Sequence, residues 1–126
     1  MKNTETTFIA VGLSTQVLDL ADGRLSGTVI QRVAIGQTIP RSNETAEKKS
    51  VIIKLPSVSD DPPVGARDWV EKHFQHLKAC DARMVVEFQT FLEPEIGSRI
   101  LTVPNALAKL CGDAGLDIAN QSFRIP

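Results

Sequence analysis

Residues 66–80 constrain the fold of this chain most strongly, because they form its clearest amphipathic helix. The apolar positions recur at intervals of four and three residues, at Ala66, Val70, His73 (partly apolar), Leu77 and Cys80. This spacing is the helical period, and it places one continuous stripe toward a core. The only Trp of the chain, Trp69, lies beside the stripe. We therefore predict that Trp69 is the main anchor of this helix in the core.

Residues 83–92 show the best strand pattern, with an alternation of period two. One face carries Met84, Val86, Phe88 and Leu92, and the other carries Val85, Glu87, Gln89 and Phe91. Such an alternation predicts one covered face and one mostly solvated face. We expect the core between helices and sheet to contain Trp69, Val70, Leu77, Met84, Val86, Phe88, Leu107 and Leu110.

Further elements can be placed on either side of these two. Strands are predicted at residues 7–13, 27–35 and 51–55, and residues 116–118 together with 122–125 are predicted to make the last strand. Residues 7–13 are apolar on both faces, as in a central strand. A second helix should begin with Thr102 as its N-cap and end at Gly112 and Gly115. Residues 14–21 fit either a short helix capped by Ser14 or a strand that turns at 22–23, and the strand is preferred.

The order of these elements predicts an α+β fold. Strands come first and are followed by helix, strand, helix and strand, which suggests an antiparallel or mixed sheet of about five strands with two helices packed on one face. The length of 126 residues is that of a single domain spanning 1–126.

Composition excludes several classes of function. The formal net charge is −1, with both signs scattered along the chain, so we expect no nucleic-acid partner. No apolar run approaches the length of a membrane span, so we expect no membrane partner. The two cysteines, Cys80 and Cys111, suit free thiols in a reducing compartment, and we expect a cytoplasmic protein.

The helix at 66–80 also holds the only residues that suggest metal or thiol chemistry. His73, His76 and Cys80 are separated by three and four residues, so they share one side of a helix, and their side chains are zinc-ligand types. They remain weak candidates, because the sequence has no paired Cys and no HExxH pattern to complete a site. We predict no metal, no cofactor and no catalytic residue. Cys80 could act as a nucleophile with His76 as its base, but an apolar stripe does not favour a thiolate.

The segment 36–50 is the longest predicted loop, and its composition is polar. We expect it to be mobile or ordered by a partner, because it has no periodic apolar face. Long loops often carry function, so it is also a candidate site.

Two hypotheses for function follow. The first is a small non-catalytic cytoplasmic protein-binding domain, of the adaptor, inhibitor or immunity type, by analogy at the level of fold only. Its predicted interface is the outer face of the best strand, formed by Val85, Glu87, Gln89 and Phe91, and its partner is another protein or a second copy. Phe91 could instead fold over the following turn, or a β-bulge could swing it inward. The alternative is a small enzyme or a ligand- or metal-binding domain that uses the helix face of His73, His76 and Cys80.

Overall fold

The computed structural model describes residues 4–56, 61–95 and 101–125, which form a five-stranded mixed sheet with three helices. The strands are β1 (Thr4–Gly12), β2 (Thr28–Val33), β3 (Lys49–Lys54), β4 (Arg83–Leu92) and β5 (Leu116–Arg124). The helices are α1 (Gln16–Asp19), α2 (Pro62–Ala79) and α3 (Asn105–Ala114). The predicted α+β class is confirmed.

The sheet has the strand order β2-β3-β1-β4-β5. All neighbouring strands are antiparallel except β4 and β5, which run parallel and are joined through α3. β1 is the middle strand, as its apolar residues on both faces predict. The core lies between one face of the sheet and the helices, and residues from α1, α2 and α3 all contribute to it. The helix layer therefore covers a single face of the sheet.

Helix α2 follows directly from its sequence. Pro62 and Pro63 occupy its first turn, where the missing N–H costs no hydrogen bond, and the helix continues to Ala79. Its buried side chains are those of the predicted stripe up to Leu77, with Trp69 and Pro63 added, namely Pro63, Ala66, Trp69, Val70, His73 and Leu77, whereas Cys80 follows the helix and is half-buried. On its exposed side, Arg67 and Glu71 form an ion pair of 3.2 Å one turn apart.

Trp69 fixes α2 to two other parts of the chain. Its ring lies 5.3 Å from that of Phe8 on β1, measured between centroids. Its indole Nε1–H donates a hydrogen bond of 2.8 Å to the carbonyl oxygen of Ser26, in the connection that leads into β2. The next residue, Gly27, has φ +133°, and a Cβ there would lie 2.4 Å from the carbonyl oxygen of Lys54. Only glycine allows this connection to pass so close to β3.

Most of the predicted core is confirmed. Trp69, Val70, Leu77, Met84, Val86, Phe88 and Leu107 are buried, whereas Leu110 is half-buried and packs against the edge of the core. In β4 the even-numbered residues are buried and the odd-numbered residues from Val85 onward are half-buried, as the alternation predicts.

The preferred strand at residues 14–21 is wrong, because this segment is helical and supplies a third helix. Gln16–Asp19 is α1, and a π-helical turn follows it at Leu20–Arg24. Val17 and Leu20 are buried in the core, a spacing of three residues that suits a helix and not a strand. Gly23 adopts a left-handed conformation with φ +83° and closes the helical segment instead of turning a hairpin.

The second predicted helix is displaced at both ends. Pro104, not Thr102, occupies the N-cap of α3, where its backbone is extended and its carbonyl oxygen accepts the first intrahelical hydrogen bond, from the Ala108 N–H. Gly112 lies inside the helix, and Gly115 alone ends it in the left-handed conformation, with φ +81°. The last strand, predicted from residues 116–118 and 122–125, is confirmed as one continuous strand, Leu116–Arg124.

The long segment between β2 and β3 is a folded arm and not a featureless loop. A bridge between Thr38 and Thr45 and several backbone hydrogen bonds, such as the 2.8 Å bond from the Ala46 N–H to the carbonyl oxygen of Gln37, extend the β2–β3 hairpin. Ala46 is buried and Ile39 is half-buried. Local hydrogen bonds and one small apolar residue order a segment whose composition gave no periodic signal.

Truncation of Trp69 tests the role of this side chain. We expect Trp69→Ala to lower the free energy of unfolding by about 3–5 kcal/mol, because it leaves a cavity. Trp69→Phe keeps an aromatic ring but leaves the Ser26 carbonyl unpaired, which should cost about 1–3 kcal/mol. Urea unfolding followed by circular dichroism measures both changes. The control Val64→Ala, on the exposed side of α2, should shift stability by less than about 0.5 kcal/mol. A Trp69→Phe variant as stable as the wild type would contradict a role for the Ser26 bond.

Candidate functional site

The three weak metal candidates on α2 lie in different environments. His73 is buried, His76 is exposed, and Cys80 is half-buried at the end of the helix. Within residues 4–56, 61–95 and 101–125, no group of three or more His, Cys, Asp or Glu side chains is arranged to hold a metal ion. The helical spacing of these residues therefore does not assemble a ligand set.

His73 is engaged in a hydrogen-bonded contact with the connection before β2. Its Nε2 accepts the Ser26 backbone N–H at 3.2 Å and lies 2.8 Å from the Ser26 hydroxyl. A backbone N–H can only donate, so Nε2 carries no proton and the hydroxyl donates to it as well. The imidazole also meets the edge of Trp69, with ring centroids 5.0 Å apart. These contacts hold the His73 imidazole at the edge of the core as a neutral hydrogen-bond acceptor.

Burial lowers the pKa of His73 below its ordinary value of 6.5, and the charges of Lys72 and His76 lower the pKa further. Protonation of Nε2 would place an N–H against the N–H of Ser26, so it opposes the observed contact. Because the unfolded chain binds this proton more tightly, the contribution of His73 to stability is complete above pH 6.5 and is lost as the pH falls below 6.5.

Neither cysteine has the environment of an activated thiol. Burial raises the pKa of Cys111 to about 11. Burial also raises the pKa of Cys80, and the neighbouring carboxylate of Asp81 adds to this rise. A nucleophilic cysteine needs the opposite change, a pKa lowered by nearby positive charge.

The predicted interface residues lie on the face of the sheet opposite the helices, which we call the open face. Residues that pair across strands share this face in rows. One row joins Gln31, Ile52, Ile9, Val85 and Asp117, and the next joins Lys54, Thr7, Glu87 and Ala119. Ile9, Ile52 and Val85 are half-buried by their neighbours in the sheet and lie outside the core cluster beneath the helices. Three aliphatic side chains thus stand side by side at the centre of the open face.

Polar side chains flank this aliphatic row. Lys54 forms an ion pair of 3.2 Å with Glu5, and both side chains are nearly half exposed. The Gln89 amide donates a hydrogen bond of 2.6 Å to Glu87. Between them lies Thr7, whose buried hydroxyl has no hydrogen-bond partner among the described residues.

Phe91 remains on the open face. The pairing of β4 with β1 and β5 is regular up to the end of β4, and the one register shift among the described strand pairs lies between β2 and β3. The bulge that would swing Phe91 inward is therefore not observed. Its ring instead stacks on that of Phe123 in β5, at 5.6 Å between centroids, and Phe123 is exposed. This pair extends the apolar surface toward the end of β5.

A groove of about 740 Å³ lies where the arm between β2 and β3 meets the open face. Val11 and Ser50 line it from the sheet, and Ile39, Ala46 and Lys48 are among the arm residues that line the other side. The candidate loop and the candidate interface are therefore adjacent parts of one surface.

Comparison of the chain with protein-family models, with curated proteins and with solved structures finds no match in any of the three. None of the helices in the described ranges combines the length and apolar character needed to span a membrane. Function is therefore inferred from the local geometry of the chain itself.

Ile9, Ile52 and Phe123 are the surface residues that sequence reasoning missed. A signal was present for Ile9, since the apolar residues on both faces of β1 indicated a strand with apolar neighbours on each side. The proximity of Ile52 to Val85 had no signal, because β3 and β4 are not adjacent in sequence and meet across β1 only through the strand order.

The His73 contact predicts a specific pH dependence of stability. Between about pH 7.5 and about pH 5.5, the urea midpoint of the wild type should fall, because the unfolded chain takes up the His73 proton first. His73→Gln keeps a hydrogen-bond acceptor that does not titrate, so its midpoint should fall less. The control His76→Gln changes an exposed residue of the same helix and removes the weakest of the three causes that lower the His73 pKa, so it should keep most of the fall seen in the wild type. An equal fall in all three proteins would rule out this linkage.

Alkylation of the native protein tests the thiols. With iodoacetamide at neutral pH, Cys111 should remain unlabelled until the chain unfolds, because it is buried and its pKa is about 11. Cys80 should react before Cys111 but more slowly than in the urea-unfolded chain, since its raised pKa leaves little thiolate. Peptide mass spectrometry over a time course separates the two sites. Labelling of native Cys80 that is faster than in the unfolded chain would revive the enzyme hypothesis.

Proposed function

We propose that this chain is a non-catalytic protein-binding domain and that the open face of its sheet is the binding surface. One observation carries the proposal: the centre of the uncovered face is a row of branched aliphatic side chains, Ile52, Ile9 and Val85. A sheet face meant only for solvent carries polar side chains at such positions.

The arrangement of the open face supports a protein partner. An apolar centre with a polar and charged rim is the usual anatomy of a protein interface, and here the rim includes Glu5, Lys54, Glu87 and Gln89. The stacked pair of Phe91 and Phe123 adds aromatic area, which is enriched at interface centres.

The chemistry of α2 favours the same proposal over the enzyme alternative. The lone pair of His73 Nε2 already accepts hydrogen bonds from Ser26, so it is not free to act as a base or a metal ligand. The raised pKa values of Cys80 and Cys111 suit inert thiols. These groups contribute to packing, whereas the aliphatic row of the open face lies outside the core cluster beneath the helices.

A matched pair of Val→Asp substitutions tests the proposal. Val85→Asp places a charge at the centre of the open face, whereas Val64→Asp places the same charge on exposed α2, on the other side of the molecule. We expect Val85→Asp to weaken partner binding by on the order of tenfold or more, because a desolvated charge replaces an apolar contact. Val64→Asp should leave binding unchanged. Phe91→Asp should act like Val85→Asp, with a smaller effect because Phe91 lies farther from the centre.

The tagged wild type and variants are purified from cells under native conditions. The amount of each stoichiometric partner, including the untagged chain, is then measured. Circular dichroism confirms that each variant is folded. Loss of a partner from folded Val85→Asp but not from Val64→Asp supports the proposal. Equal partner content in the two variants would contradict it.

A further inference from the structure

We infer that the open face binds a second copy of this chain. The two-fold axis of this dimer lies between the two sheets and runs parallel to β1. This inference rests on the proposed function and names the partner for the same surface. Two-fold dimers are the commonest assemblies of identical chains, and they require a surface that is complementary to itself. The cross-strand register shows that two central rows of the open face meet this requirement.

The position of β1 sets the geometry. It is the third of five strands, so an axis along it exchanges β3 with β4 and β2 with β5. When two such sheets pack face to face, β3 of one copy lies over β4 of the other, and residues in the same row oppose each other. Sheets pack about 10 Å apart with their strands nearly aligned, as this arrangement requires.

The aliphatic row is self-complementary under this operation. Ile9 pairs with both Ile52 and Val85 in the register of the sheet, so these three residues lie at one level along the strands. Rotation about β1 places Ile52 over Val85 of the second copy, and Ile9 over its own equivalent. Every aliphatic side chain of the row then meets another aliphatic side chain.

The charged row shows the same complementarity. Thr7 pairs with both Lys54 and Glu87, so these residues also lie at one level. The rotation places Lys54 over Glu87 of the second copy, and Glu87 over Lys54. Two opposite-charge contacts therefore form, one on each side of the axis. Thr7 lies at the axis between these two contacts, and its side chain is already buried within the single chain.

The size of the face suits a dimer. Strands of six to ten residues, at about 3.3 Å per residue and about 4.8 Å apart, give a projected area on the order of 600 Å². Side chains that stand above the sheet make the accessible surface larger than this projection. A stable interface buries roughly 800 Å² on each partner, so one open face is large enough.

Charge reversal across the interface gives a test that depends on the predicted pairing. Lys54→Glu and Glu87→Lys each create two like-charge contacts in the dimer, so each should raise the dissociation constant by about tenfold or more. When the two variants are mixed, the carboxylate introduced at position 54 of one chain meets the ammonium introduced at position 87 of the other. The remaining Glu87 and Lys54 also meet, so both contacts become attractive again. An equimolar mixture should therefore form heterodimers with an affinity near that of the wild type. The double variant Lys54→Glu/Glu87→Lys should likewise recover self-association.

Arg67→Glu and Glu71→Lys are the matched controls. Arg67 and Glu71 form an ion pair of the same length as that of Lys54 and Glu5, but on the exposed side of α2. Reversal of either charge should leave the dissociation constant unchanged. Analytical ultracentrifugation at several concentrations measures association, and circular dichroism confirms that every variant keeps its fold.

The outcomes separate the dimer from the general proposal. A wild type that stays monomeric up to about 100 µM overturns the dimer. The pairing along β1 is overturned if both charge reversals leave the dissociation constant of the dimer unchanged, or if a mixture of the two variants fails to associate. If the wild type is monomeric and Val85→Asp still loses a different stoichiometric protein, the proposed function stands with another partner. If Val85→Asp loses nothing, both fail.

Discussion

The contact between Trp69 and the Ser26 connection holds the layers of this protein together. Through one side chain, α2 packs on Phe8 of the central strand and binds the backbone that leads into the edge strand β2. His73, one helical turn later, accepts two hydrogen bonds from the same residue. Because these bonds join parts of the chain more than forty residues apart, they set the position of the helix layer over the sheet. The glycine that follows Ser26 allows the connection to lie against β3, and no larger residue could replace it without displacing the backbone.

All three helices cover one face of the sheet. Side chains on the other face are shielded from solvent only by one another. On the covered face, burial of Phe8, Val86 and Phe88 supplies the main driving force for folding. On the open face, Ile9, Ile52 and Val85 are half-buried only by their neighbours in the sheet. The β4–α3–β5 crossover adds a parallel strand at one edge, and this strand brings Phe123 onto Phe91. The apolar character of the open face is thus built by strand order, from four separate segments of the chain.

The residues with the most reactive side chains are those that the fold uses for packing. The spacing of His73, His76 and Cys80 predicts one shared side of a helix, yet α2 ends at Ala79 and each of the three residues meets a different environment. His73 faces the core and the Ser26 connection, His76 faces solvent, and Cys80 lies at the helix end beside Asp81. Spacing along one helix determines only the direction in which each side chain points. A ligand set or an activated thiol also needs groups from other elements to converge on the same site. No such convergence is found among the described residues.

Local sequence patterns were sufficient for the long elements of this protein. The periods of α2 and β4, the alternation of buried residues and the central place of β1 could all be inferred, because they depend on interactions within one segment or on its apolar pattern. The helix at Gln16–Asp19 and the ordered arm after β2 could not, since a short segment has little intrinsic preference and takes the conformation that its neighbours stabilise. The open-face residues of β4 were visible in its alternation, but their neighbours on that face, Ile9, Ile52 and Phe123, were not. Those residues meet only after the strands have paired in the order β2-β3-β1-β4-β5, and pairing between distant segments is a property of the folded chain.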